Sequence, residues 1–156
     1  MSALNIDDPG EDGLFGLHQL QITGDYKSSA GGKDIDILGL DFERLPNDDL
    51  RFWLINHRPA IDEFGNLLDA TVYGANSTVE VFDLTPGTSK LKFVKTYHDD
   101  AIQTPNSITA TGDGGFVVSN DHGSNKVGAA STLSISISTL ANLAEATCTH
   151  SSLLPR

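Results

Sequence analysis

The feature that most constrains the fold is a series of short runs rich in β-branched and aromatic residues, each bounded by Gly, Pro, Asn or Asp. These runs are Leu17–Thr23, Leu50–Asn56, Thr78–Leu84, Leu91–Tyr97, Ser107–Thr111 and Gly115–Asn120. They predict strands, and several alternate at period two, as Val79 and Val81 do around Glu80. No long helical periodicity precedes residue 139. Many short strands with frequent turns predict an all-β sandwich, barrel or propeller, and no internal repeat chooses among the three.

The acidic composition narrows the classes of partner. Among 156 residues, 21 are Asp or Glu and 10 are Lys or Arg, which gives a formal net charge of −11. Such a surface repels phosphate backbones, so we expect no nucleic-acid partner. No window approaches the roughly 18 apolar residues of a membrane span, and the N-terminus lacks the pattern of a signal peptide. Cys148 is the only cysteine, so the sequence allows no internal disulfide.

The C-terminal segment 128–156 differs in composition from the rest. Ten of its 29 residues are Ser or Thr, and only Glu145 and Arg156 are charged. LSISISTL alternates as a strand does, whereas TLANLAEA fits a short helix. We predict a β-rich unit over 1–127 followed by an atypical Ser/Thr-rich tail over 128–156 that does not belong to it. The alternative is one more hairpin or a loose terminus.

A hairpin with polar ends is the strongest local signal. Asp113-Gly114 between two apolar runs predicts a two-residue type I′ turn, which places Asn106 opposite Asp121 and close to His122. A three-residue loop would shift the pairing by one residue and keep the cluster. Amide and carboxylate oxygens are ligands that suit calcium, and a nearby imidazole can act as a base. The structural alternative is that Asn and Asp stand there as turn formers.

A second candidate is His57, which follows the most apolar run of the chain. In this position an imidazole, whose ordinary pKa is near physiological pH, could reach a site at the mouth of the sheet. The alternative is a purely structural strand end before the turn at Pro59. The other histidines have no partner residues at the spacing of zinc ligands, so we expect no zinc site.

Taken together, these segments resemble the serum paraoxonase/arylesterase family. The resemblance is carried by Ile22-Thr23-Gly24, Leu54–His57 (LINH), Ser77–Phe82 (STVEVF) and Thr104–His122, and it spans residues 3–127. In the last stretch the family pattern is an Asn, a strand, a Gly-centred turn, an aromatic strand and then Asn-Asp-His. The family consists of six-bladed β-propellers that hydrolyse lactones and aryl esters with calcium. The resemblance thus implies part of such a propeller, roughly two to three blades.

The resemblance also implies roles for individual residues. Asn106 matches an asparagine that holds the catalytic calcium, and His57 matches one member of a histidine dyad that helps to deprotonate the attacking water. Asp121 and His122 match polar residues of the active-site neighbourhood. The implied chemistry is a calcium-polarised carbonyl attacked by a His-assisted water on a small ester or lactone. Family members are typically secreted or membrane-associated, so the missing leader pattern leaves the compartment undetermined.

Several positions depart from the family pattern. The second dyad histidine is expected nineteen residues before His57, where Leu38 stands. The residue after the calcium asparagine is an aspartate in the family and Ser107 here. An insertion that includes Arg58–Ala70 follows His57, and the match ends before the blades that donate further calcium ligands. Two functions therefore compete: an arylesterase or lactonase, and a non-catalytic β-propeller remnant or interaction module.

Overall fold

The computed structural model describes residues 1–29, 31–121 and 137–140. Strands dominate these residues, which confirms the all-β prediction. In chain order the elements are β1 (Ser2–Ala3), β2 (His18–Gln19), β3 (Gln21–Thr23), β4 (Ile37–Arg44), β5 (Leu50–Pro59), α1 (Ala70–Tyr73), β6 (Ala75–Leu84), β7 (Lys90–Tyr97), β8 (Pro105–Ala110), β9 (Phe116–Asn120) and β10 (Ile137–Leu140). The helix is a single turn, and no helix in the described part of the chain is long and apolar enough to cross a membrane.

The larger sheet has five strands in the order β3-β7-β6-β5-β4. β4, β5, β6 and β7 form an antiparallel meander in which each strand pairs with the next one along the chain. β3 extends the outer edge of this sheet by pairing parallel to β7. The predicted run Leu17–Thr23 is therefore divided at the buried Leu20, because β2 pairs instead with β1.

The smaller sheet contains β8, β9 and β10 and packs against one face of the meander. We call the cluster between the two sheets the inter-sheet core; its buried members are Trp53, Ile55, Val79, Val81, Ile102, Ile108, Phe116 and Val118. The Trp53 ring lies 5.1 Å from that of Phe116 and 6.3 Å from that of Tyr97, measured between centroids. The period-two alternation of β6 explains this packing, since Val79 and Val81 face the core together.

The opposite face of the meander carries a second cluster, which we call the outer core. Its buried members are Leu20, Tyr26, Leu54, Phe82 and Leu91. The rings of Tyr26, Phe82 and Phe93 lie within 5.3 to 5.7 Å of one another, two pairs in edge-on and one in tilted geometry. Such aromatic contacts add to the stabilisation from burial alone. The N-terminal segments that contribute Leu20 and Tyr26 thus cover the central and outer strands of this face.

Candidate functional site

The β8–β9 hairpin forms as predicted, but with the three-residue loop. Thr111 N–H donates to the carbonyl of Gly115 at 3.0 Å, so the loop is Gly112–Gly114. Both glycines have positive φ, 79° and 89°, which explains why glycine stands at these positions. Asp113 accepts hydrogen bonds from the Thr111 hydroxyl and the Gly115 N–H, and these bonds lower the pKa of its carboxyl. The prediction of a two-residue turn is wrong, because the Asp113 side chain stabilises a three-residue loop instead.

The register of the hairpin differs from the predicted one at Asn106. Ser107 pairs with Ser119, whereas Pro105 pairs with Asn120, so that Asn106 is an extra residue in a β-bulge. Asn106 is exposed. The prediction that it lies directly opposite Asp121 is therefore wrong, although both residues remain at the same end of the hairpin.

Asn120 has a structural role. Its side chain is buried, and its Oδ1 accepts the N–H groups of Gln103 and Thr104 at 3.1 Å each. Its Nδ2 donates to the carbonyl of Ala101 at 2.7 Å. These three bonds hold the segment before β8 against the end of β9. Asn120 therefore holds this end of the hairpin in place.

Asp121 follows β9 at the same end of the hairpin. Its N–H donates to the carbonyl of Thr104 at 2.9 Å, and the residue is exposed. His122 and most of the tail 128–156 lie outside the described residues. Within that tail, β10 pairs antiparallel with β9, with Leu140 opposite Phe116.

His57 reaches this end from the other sheet. It lies inside β5 rather than after it, because the strand continues to Pro59. Its backbone N–H donates to the carbonyl of Asp36 at 2.8 Å, and its ring Nε2 lies 3.0 Å from the carbonyl oxygen of Pro105. The half-buried imidazole therefore contacts the residue directly before Asn106.

β4 lies against the same end of the hairpin, where its backbone comes close to that of Asn106. A Cβ atom on Gly39 would lie 3.0 Å from the carbonyl oxygen of Asn106 and 3.2 Å from Cδ1 of Ile55. Only glycine fits without displacing one of these neighbours. Leu38, the position expected to carry the second dyad histidine, directly precedes this contact. In the sequence, the only indication of this close backbone contact is a glycine inside an apolar run.

A buried polar network holds the His57 end of β5 in place. Asn56 accepts the Asp36 N–H at 2.8 Å through Oδ1, and its Nδ2 donates to Tyr26 Oη at 3.1 Å and to Glu80 Oε1 at 3.3 Å. Asp36 in turn accepts the His57 N–H. We did not predict Asn56 or Glu80 as site-supporting residues, because alternation alone places them on the opposite face from His57.

Glu80 is a fully buried carboxylate within this network. It accepts the hydroxyls of Thr78, at 2.6 Å, and of Thr96. Burial raises the pKa of Tyr26, and the charge of Glu80 raises it further. A buried acid is tolerated only when donors satisfy its oxygens, and here two hydroxyls and an amide do so.

A cleft of about 360 Å³ lies beside the start of β6. Its walls include Tyr73, Asn76, Ser77, His98 and Gln103. Ser77 pairs with His57 across β5 and β6, so the cleft adjoins the site. None of the predicted site residues is among the residues that line it.

The structure thus brings a half-buried imidazole, an exposed amide and an exposed carboxylate to one end of the two packed sheets. The described residues contain no group of three or more His, Cys, Asp or Glu side chains that could hold a metal ion. In comparisons with known proteins, the chain matches no family model and no curated sequence.

Proposed function

We propose that this chain is a paraoxonase/arylesterase-like protein whose site, formed by His57, Asn106 and Asp121, hydrolyses a small carboxylic ester or lactone. The observation that carries the proposal is the bond between His57 Nε2 and the carbonyl of Pro105. It joins two segments that are separated by 48 residues and were singled out independently in the sequence.

The order of the strands supports a propeller as the parent architecture. β4–β7 has the meander connectivity of one blade, and β8 then returns from β7, the last strand of the meander, to lie beside β4, the first. Asp41 Oδ2 accepts the N–H of Ala110 at 2.8 Å and so links β4 to β8. This is the arrangement expected of the inner strands of two neighbouring blades.

The hydrogen bond of His57 determines which ring nitrogen can accept a proton. A carbonyl oxygen only accepts, so Nε2 must carry the hydrogen that bonds to Pro105. In the neutral ring, Nδ1 is then the unprotonated nitrogen and the one able to take a proton from water. The backbone bond from His57 to Asp36 and the Asn56 network keep the ring in place while it does so.

The oxygen donors at this site match calcium in kind but fall short in number. Calcium takes about six to eight oxygen ligands, and among the described residues the site offers the side chains of Asn106 and Asp121. When bound, the ion would polarise the carbonyl of the substrate. Two side chains do not make a complete calcium site.

This shortfall favours a second function, a non-catalytic β-rich interaction module. The positions that the family pattern uses for a second histidine and a second calcium aspartate hold Leu38 and Ser107, which are both exposed here. Neither side chain can transfer a proton at neutral pH or bind calcium as a carboxylate does. The two functions predict different responses to calcium and to substrate.

A thermal melt with calcium and with a chelator separates them. A ligand present at about 100 times its dissociation constant stabilises the native state by roughly 2.7 kcal/mol. We expect calcium to raise the melting temperature of the parent chain and of Asn47→Ala, a change in an exposed loop, but not that of Asn106→Ala. An equal response in all three proteins would place the ion elsewhere.

Hydrolysis of an aryl acetate and of an aliphatic lactone then tests catalysis. His57→Gln retains a donor for the Pro105 carbonyl but no base, so we expect the variant to fold normally and to lose about 10² to 10⁴ in rate. His57→Ala loses both functions and should also be less stable. Well-folded parent protein without turnover would leave the interaction module as the function.

A further inference from the structure

We propose that the connection between β5 and β6, together with the cleft beside it, is a docking surface for a basic peptide segment of a partner protein, in which Lys or Arg stands next to large apolar residues. We call residues 60–74 the inserted lobe. The lobe leaves the sheet after Pro59 and returns at Ala75, and these two residues pair with each other. It is therefore an excursion from the end of the sheet rather than part of either strand.

The inserted lobe carries a group of exposed apolar side chains. Phe64, Leu67, Val72 and Tyr73 are each between 61% and 80% exposed. Single exposed apolar side chains are ordinary, whereas several in one place mark an interaction site. Two of the four are aromatic, and aromatic residues are enriched at protein–protein interfaces.

Hydrogen bonds within the lobe fix its shape in the absence of a partner. Asp62 Oδ1 accepts the N–H groups of Phe64 and Asn66 at 2.9 and 2.8 Å, and its Oδ2 accepts the Asn66 side-chain amide at 2.9 Å. Ile61 forms an isolated β-bridge with Leu67 across this turn. A surface that is formed before binding loses less conformational entropy on association than a loop that must first become ordered.

The charge of this surface determines which partner complements it. The lobe and the cleft contain five acidic residues, Asp62, Glu63, Asp69, Asp99 and Asp100, and neither 60–77 nor 98–103 contains a Lys or Arg. Arg58 pairs with Asn76 but does not line the cleft, and its guanidinium lies 4.0 Å from the Asp34 carboxylate. A complementary partner therefore carries positive charge. The same acids, and the net charge of −11, disfavour a second copy of this chain and an anionic lipid surface.

The cleft suits one long basic side chain of the partner. Its volume of about 360 Å³ is near the lower limit of the roughly 300 to 1,000 Å³ of small-ligand pockets. Asp99 Oδ1 accepts the Ala101 N–H at 2.8 Å, and Asp99 Oδ2 and both Asp100 carboxylate oxygens have no hydrogen-bond donor among the described residues. Tyr73 lines the cleft, and an aromatic ring attracts a Lys or Arg cation above its face. Because Tyr73 belongs to both the cleft and the lobe, a basic side chain in the cleft brings its apolar neighbours to the lobe.

Fluorescence anisotropy of a labelled peptide in which Lys and Arg alternate with Leu and Phe, titrated with the full chain, tests the surface. We expect reversible and saturable binding. Two sister peptides separate charge from apolar contact: one has Glu in place of every Lys and Arg, and the other has Ser in place of every Leu and Phe. The acidic peptide should not bind, and the Ser peptide should bind about tenfold more weakly than the basic apolar one.

Charge variants test the role of the cleft. Asp99→Asn with Asp100→Asn removes two charges from the cleft and keeps an oxygen that accepts the Ala101 N–H. Asp7→Asn with Asp8→Asn is the matched control, because it removes two adjacent charges from an exposed turn in which Asp8 accepts the Gly10 N–H in the same way. The cleft variant should bind about tenfold more weakly, and the control should stay within about twofold of the parent affinity.

Apolar variants test the role of the lobe. Phe64→Ser with Leu67→Ser should also weaken binding about tenfold. The matched control is Leu40→Ser with Phe42→Ser, which removes the same residue types from exposed positions on β4. This control should bind the peptide as the parent does. Circular dichroism and a cooperative melt verify that each variant is folded.

A parent chain that does not bind the basic apolar peptide overturns the proposal, as does equal affinity for the Ser peptide. Equal losses in the cleft variant and its control would reduce the attraction to net charge, and equal losses in the two Ser variants would place the apolar contact outside the lobe. Binding to phosphatidylcholine vesicles or dimer formation that depends on Phe64 and Leu67 would assign the lobe to a lipid surface or to a second copy instead. None of these results depends on whether the chain hydrolyses esters.

Discussion

Replacing Asn120 with alanine removes the side chain that holds the segment before β8. Three hydrogen bonds are lost: two that Oδ1 accepts from backbone N–H groups at 3.1 Å and one that Nδ2 donates to a carbonyl at 2.7 Å. Asn106→Ala removes the same atoms from an exposed bulge position fourteen residues earlier, where the Asn106 side chain makes no hydrogen bond to the described residues. Comparing the two variants therefore distinguishes the structural role of Asn120 from the proposed ligand role of Asn106.

The expected cost follows from the surroundings of the three partners. Each bond contributes about 0.5 to 1.5 kcal/mol, and a buried group left without a partner costs more. Thr104 is buried and cannot regain its bond from water, whereas Ala101 and Gln103 are exposed and can. We therefore expect Asn120→Ala to lower the free energy of unfolding by about 3 kcal/mol, and the melting temperature by about 10 °C.

Urea denaturation of parent, Asn120→Ala, Asn120→Asp and Asn106→Ala checks this reasoning. The midpoint should fall in Asn120→Ala with an unchanged m-value, which reports lost stability rather than a changed unfolded state. Asn120→Asp keeps both accepted bonds but turns an oxygen toward the Ala101 carbonyl, so it should also lose stability. Asn106→Ala should change stability by less than about 0.5 kcal/mol. Equal losses in the two alanine variants would refute the division of roles between them.

Three further predictions follow from other contacts. Gly39→Ala forces a Cβ to within 3.0 Å of the Asn106 carbonyl; it should cost about 1 to 3 kcal/mol, and an unchanged melting temperature would contradict the contact. Asp83→Asn breaks the bidentate pair between Asp83 and Arg51, in which the two side chains are 19% and 16% exposed. Urea unfolding should show that the free energy of unfolding falls by about 2 kcal/mol. The pKa of Tyr26 is raised, so the unfolded chain releases this proton near pH 10 while the folded chain keeps it, and stability falls as pH rises above about 10. Tyr26→Phe lacks this fall, so its stability deficit against the parent should narrow with rising pH; a constant difference would contradict the raised pKa.

The strands could be predicted where local alternation decides them, and their ends could not. β5 extends three residues beyond the predicted Asn56, and β6 begins three residues before the predicted Thr78. The added residues pair with one another, Arg58 with Asn76 and Pro59 with Ala75. Each extension thus exists because the partner strand is there. The sequence of either segment alone therefore does not predict where its strand ends.

β4 is not among the strands predicted from the sequence, for a related reason. Its inward positions hold Gly39, Asp41 and Glu43, residue types that are depleted in strands. Gly39 is there for the close approach of Asn106, and Asp41 is there to accept the Ala110 N–H. Both needs arise only after the second sheet is in place. The outward apolar residues gave a clear alternation, but with the exposed side apolar and the buried side polar.

The bulge at Asn106 shows how the fold decides which polar residue is available for chemistry. The three-residue loop without a bulge would place Asn106 opposite Asn120, and the alternation that points Ile108 and Val118 into the inter-sheet core would turn both amides inward. The extra residue instead sets the buried Pro105 opposite Asn120 and leaves Asn106 exposed. Proline suits this position because it starts the strand. The same Pro105 presents its carbonyl to His57. One inserted residue therefore assigns Asn120 to the scaffold and Asn106 to the surface, and the spacing of the two asparagines in the sequence could not distinguish these roles.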